Sequence, residues 1–112
     1  MENNLTWNEF ERVEMRIGTI IEANDFPEAR KPAYQLTIDF GALGIRKSSA
    51  QITKHYQKDE LVGRQIVAVV NFPKKQIGPF MSECLVLGSV ESDGGVILLQ
   101  PGLAVENGLR IA

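Results

Sequence analysis

Apolar residues in this chain recur mainly at every second position. From Glu14 onward, Met15, Ile17, Thr19, Ile21 and Ala23 fall on one face, with Arg16 and Glu22 on the other. This predicts a long first strand, with Gly18 marking a bend or bulge. Tyr34, Leu36, Ile38 and Phe40 alternate with Gln35, Thr37 and Asp39 to make a second strand, and a third begins over 45–49. The run Gln65-Ile66-Val67-Ala68-Val69-Val70 predicts a fourth strand over 65–72, and 84–90 a fifth. Val96-Ile97-Leu98-Leu99 follows the hairpin signal Asp93-Gly94-Gly95. Helical spacing is confined to two places. Thr6-Trp7-Asn8-Glu9 has the capping-box pattern and predicts a helix over 6–13, with Trp7 and Phe10 as a lid on the core. Leu61 closes a second helical turn, ended by Gly63.

Short strands, glycine-rich turns and so little helix predict an all-β chain. The small antiparallel barrel that fits is an OB-fold, a five-stranded Greek-key barrel with a short N-terminal helix and a C-terminal β extension. An SH3-like barrel satisfies the pattern nearly as well. The sequence of 112 residues suits one domain spanning 1–112, with 44% hydrophobic and 23% charged residues. No apolar run reaches the ~20 residues of a membrane helix. Met1-Glu2-Asn3-Asn4 lacks the features of a secretory signal. The single cysteine, Cys84, excludes an internal disulfide. A soluble, cytoplasmic protein without membrane insertion is expected.

Net charge is only −2, but it is unevenly spread. Residues 30–81 carry nine cations against three carboxylates, whereas the flanking segments are acidic. Within this basic stretch, Asn71-Phe72-Pro73-Lys74-Lys75-Gln76-Ile77-Gly78-Pro79-Phe80-Met81-Ser82 reads as a rigid loop. It can present two lysines to phosphate and aromatic faces to bases. Glu14 and Arg16 are spaced for a structural ion pair. His55 and Cys84 are the only residues of their kinds, too few for a structural zinc site and without an evident third member for nucleophilic catalysis. No phosphate-cradling glycine motif is present. A non-enzymatic protein needing no cofactor or metal is expected. The apolar tail residues Leu103, Val105, Leu109 and Ile111 either close the barrel or form a dimer contact.

Glu14-Met15-Arg16-Ile17-Gly18-Thr19-Ile20 resembles the opening of the OB-fold tRNA-binding domains appended to some synthetases and to EMAP II-like cytokines. The match continues through Phe26-Pro27-Glu28-Ala29, Ile38-Asp39-Phe40-Gly41, Leu61-Val62-Gly63-Arg64 and Ser82. Lys47-Ser48-Ser49-Ala50-Gln51-Ile52-Thr53-Lys54, with Asn71-Phe72-Pro73 and Leu98-Leu99-Gln100-Pro101, resembles the free-standing, CsaA-like export-chaperone branch of that family. Gln76, where relatives often carry a basic residue, and the stiffening Pro79 depart from the family pattern.

The resemblance implies tRNA as ligand, a homodimer, and a chaperone role toward unfolded preproteins and export machinery. Arg30, Lys31, Lys47, Lys54, Lys74 and Lys75 are then the expected phosphate contacts. Ser48, Ser49, Gln51 and Ser82 would add neutral hydrogen bonds. Phe72 and Phe80 could each stack a base, worth about 1–3 kcal/mol, or be core or dimer contacts instead. Phe72, Ile77, Phe80 and Met81 are the expected peptide-contacting residues.

Overall fold

A computed structural model describes residues 3–112. Met1 and Glu2, which open the segment read above for a secretory signal, lie outside them. The predicted capping box forms: Thr6 Oγ1 accepts from the Glu9 amide at 3.2 Å, and Glu9 Oε1 accepts from the Thr6 amide at 2.9 Å. Helix α1 covers only Trp7–Glu11. Asn71 stops it, donating from Nδ2 to the Arg12 carbonyl and accepting the Glu14 amide on Oδ1. So short a helix does not bring Trp7 over the barrel. The indole is 81% exposed and Phe10 half-buried, so the expected core lid is absent.

Strand β1 (Met15–Asp25) is followed by β2 (Tyr34–Asp39), a 3-10 turn at Gly41–Leu43, and β3 (Ile45–Ala50). Helix α2 (Lys58–Leu61) then leads to β4 (Gln65–Val69). The stretch read as a rigid loop folds partly into a hairpin, β5 (Lys75–Ile77) and β6 (Phe80–Ser82), turning at Gly78-Pro79. The expected fifth strand is broken into β7 (Leu85–Val86) and β8 (Gly88–Val90), and β8 pairs with β9 (Val96–Leu98) across the predicted turn.

The main sheet runs β3-β2-β1-β4-β7, every neighbour antiparallel. It curls so that β7 approaches β3, leaving a nearly closed five-stranded barrel with a helix between the third and fourth strands. This order is that of an OB-fold and settles the choice against the SH3-like alternative. Ile20, Leu36, Ile38, Phe40, Leu61 and Ile66 fill the interior and are fully buried. The first strand departs from strict alternation. Its register with β2 shifts between Ile20 and Glu22, so Ile20 points inward and Ile21 is 44% exposed. Gly18 is not the bulge; the Ile38 and Phe40 side chains lie against its backbone.

The tail runs beside the start of β1. Gly108 donates to the Ile17 carbonyl, Ile17 to Leu109, and Ile111 to Met15, with one bridge at Arg16–Arg110. Arg16 pairs with Glu14 at 3.1 Å, as expected, and also donates to the Gly108 carbonyl. No helix among the described residues is long and apolar enough to cross a membrane.

Candidate nucleic-acid interface

Two loops flank the outer side of β3, and a small apolar cluster locks them together. Phe26 and Ala33, at the ends of the β1–β2 loop (residues 26–33), pack with Phe80 of β6, joined by Ala29 and Ile77. The Phe26 and Phe80 rings lie 5.3 Å apart, tilted by 56°. Phe80 is therefore buried, which removes it as a stacking or peptide-contacting residue: its ring fastens the hairpin instead.

The hairpin is also stitched to the edge of β3. The Lys47 amide donates to Glu83 Oε1 at 3.0 Å, the Glu83 amide to the Lys47 carbonyl at 2.7 Å, and the Ser49 amide to Ser82 Oγ at 3.2 Å. Side chains thus satisfy the outward donors that an edge strand would otherwise leave open.

Three adjoining concavities, all reaching Lys75, form a groove over this surface. The first, about 360 Å³, lies between the β1–β2 loop and the hairpin and is lined by Arg30, Lys31, Ser49, Gln51, Lys75, Gln76 and Ile77. The second, about 620 Å³, is the apolar bay of Phe72, Pro73, Cys84 and Leu85, rimmed by Lys74, Lys75, Gln76 and Ser82. The third follows the incomplete closure between β3 and β7, past Ala50, Ile52, Leu85 and Val86. The β2–β3 face and its two flanking loops are where OB-folds hold oligonucleotides.

Charge is distributed unequally among the expected contacts. Among the described residues, Arg30, Lys31, Lys47 and Lys75 have no carboxylate within 4 Å, so their charge faces solvent. Lys74 stands 3.5 Å from Glu83. Lys54 does not line the groove; it pairs with Asp93 at the β8–β9 turn. That hydrogen bond raises the Lys54 pKa and lowers the Asp93 pKa. Alongside, His55 bonds Glu91. Ser48 is fully buried, its hydroxyl donating to the Ser49 carbonyl, so it cannot offer the hydrogen bond expected of it. Phe72 is 56% exposed at the apolar bay. Met81, opposite Gln76 in the hairpin, is exposed but outside the groove lining.

Cys84 is buried beneath the bay, and burial pushes its thiol up to about 12. The thiolate needed for nucleophilic attack is accordingly suppressed. Sequence reasoning missed Glu83 and treated Gln76 only as a departure. Glu83 acquires its place by pairing with Lys47, 36 positions away, which leaves no local signal.

Residues 15–110 match the family described as "Putative tRNA binding domain", and the chain belongs to that family. Solved structures narrow the likeness. The chaperone CsaA of Bacillus anthracis is 51% identical, with a TM-score of 0.93 over 97% of this chain and 99% of that one. The CsaA chaperone protein of Picrophilus torridus is 53% identical, with a TM-score of 0.90 over 97% of this chain and all of that one. The methionine–tRNA ligase of Bacteroides fragilis is 31% identical over 108 residues, 96% of this chain. The chain spans only 16% of that ligase's length.

Proposed function

We propose that this protein is a non-catalytic module that binds tRNA by charge and shape in the groove between the β1–β2 loop and the β5–β6 hairpin. The convergence of Arg30, Lys31 and Lys75 on one concavity carries this reading, with Ser49 and Gln51 at the same wall. Lys74 and Ser82 stand at the rim of the adjoining bay, and Lys47, exposed on the β3 edge with its amide bonded to Glu83, adds a further cation. Phosphate contacts of this kind position a folded RNA without reading its sequence. Titrating bulk tRNA at rising ionic strength tests the reading. With three cations at the site, log affinity should fall against log salt with a slope of about −2 to −3. A flat salt response, or no complex at all, would reject it.

The apolar bay supports a second reading, the holding of an extended, unfolded polypeptide segment, in keeping with the two CsaA neighbours' being chaperones. Phe72 and Leu85, 56% and 47% exposed, would take apolar side chains, and Ile77 stands with Leu85 in the adjoining concavity. Suppressed aggregation of an unfolded preprotein, at a salt level that abolishes tRNA binding, is the expected result. Unchanged aggregation would remove this role and any link to export machinery.

A homodimer is part of the same proposal. Trp7, Val90 and Leu103 are 73–81% exposed, and a second copy of the chain would cover such side chains. Sedimentation should give twice the 12.4 kDa chain mass; a species at the chain mass alone would defeat it. A cytoplasmic location follows from the proposed ligand.

A further inference from the structure

We propose that Glu83 sets the affinity of the groove by holding Lys74 out of use. The inference rests on the tRNA-binding reading above and adds a residue that works against the ligand. Glu83 lies between Ser82 and Cys84, both of which line the apolar bay, and its side chain is 26% exposed.

Its carboxylate is anchored. Oε1 accepts the Lys47 amide at 3.0 Å, while the Glu83 amide itself donates to the Lys47 carbonyl at 2.7 Å. Oε2 stands 3.5 Å from Lys74 Nζ. Of the two partners, the carboxylate is held by backbone and the lysine is not: Lys74 is 67% exposed on a flexible stem. The ammonium therefore settles on a fixed anion. Lys75, one residue on, has no carboxylate within 4 Å among the described residues and reaches all three concavities.

Two adjacent lysines are thus unequal. Lys75 meets phosphate at no prior cost, whereas Lys74 must first leave Glu83, and any phosphate near it meets the carboxylate as well. Exposed pairs of this type are worth little, so the restraint is graded and does not block binding.

Glu83→Gln separates the two roles of this side chain, since the amide oxygen still accepts from Lys47 while the charge is gone. Binding of bulk tRNA to the full chain should tighten about two- to fivefold, the range a surface ion pair accounts for. The salt slope should steepen by about one as Lys74 becomes an additional phosphate contact. In a Lys74→Ala background the same substitution should tighten binding by less, through loss of the carboxylate's own repulsion of phosphate, and should leave the slope unchanged. Lys74→Ala alone should cost less affinity than Lys75→Ala, a comparison that stands even if Glu83→Gln folds poorly.

Unchanged or weaker binding by a folded Glu83→Gln protein overturns the proposal. So does equal tightening with or without Lys74, or a Lys74→Ala loss as large as that of Lys75→Ala. Failure of the wild-type protein to bind tRNA in a salt-dependent way would instead sink the tRNA reading itself, and this inference with it.

Discussion

A methyl group on Gly18 would sit 2.6 Å from Ile38 Cγ2 and 2.7 Å from the Phe40 ring, both fully buried. Neither neighbour has room to withdraw. Gly18→Ala is expected to destabilise the barrel by about 1–3 kcal/mol, read as a lower urea midpoint at unchanged slope. Cys84 offers a second check. Its thiol ionises near its ordinary value of 9.0 in the unfolded chain and only near 12 when buried. The folded state binds this proton more tightly, so the contribution is complete below pH 9 and is lost as pH rises from 9 towards 12. Unfolding free energy should decline through that window in the wild type, and less steeply in Cys84→Ala. At this scale the sequence was only half legible. Strand alternation tells that one of Ser48 and Ser49 faces inward, but two adjacent serines do not say which. Pairing with Leu36 decides it, burying Ser48 and leaving Ser49 at the groove.

The β5–β6 hairpin owes its position to Phe80. Because that ring ties the hairpin to Phe26 and Ala33 outside the main core, Phe80→Ala should loosen residues 75–82 more than it weakens the barrel. Faster amide exchange in the hairpin and a several-fold loss of tRNA affinity are expected, with β1 and β4 amides still protected. Uniform acceleration across the whole sheet would count against a local fastening. The hairpin was hard to see because each arm has three residues, too few for alternation to register, and Pro73 and Pro79 read as loop. The longer strands were legible because four or five alternating apolar residues determine a face. The exception, Ile21, falls where the register shifts against β2, a tertiary adjustment with no local sequence cue.

Across the whole molecule, the basic excess of residues 30–81 survives folding only in part. Lys54 and Lys58 are neutralised by Asp93 and Asp25 from distant segments, while Arg30, Lys31 and Lys75 gather at one concavity. Arg30→Ala with Lys75→Ala should therefore reduce tRNA affinity and flatten the salt slope by about two. Lys54→Ala should leave both within experimental error, which filter binding at several salt concentrations would check. The barrel was foreseeable from strand number and turn chemistry. The groove was foreseeable as a list of cations, but not as a surface, because which lysine meets a carboxylate depends on closure of the barrel.

The pairing of residues 108–111 with β1 bears on how the protein is made. Arg16 finds its carbonyl partner 92 positions further on, at Gly108. Because synthesis proceeds from the amino end, β2 and β4 can cover most of β1 early, but one flank of its first residues, Met15–Ile17, stays bare until nearly all of this sequence has been translated. A growing chain stalled before that point would carry an unpaired, apolar strand border able to join another such chain.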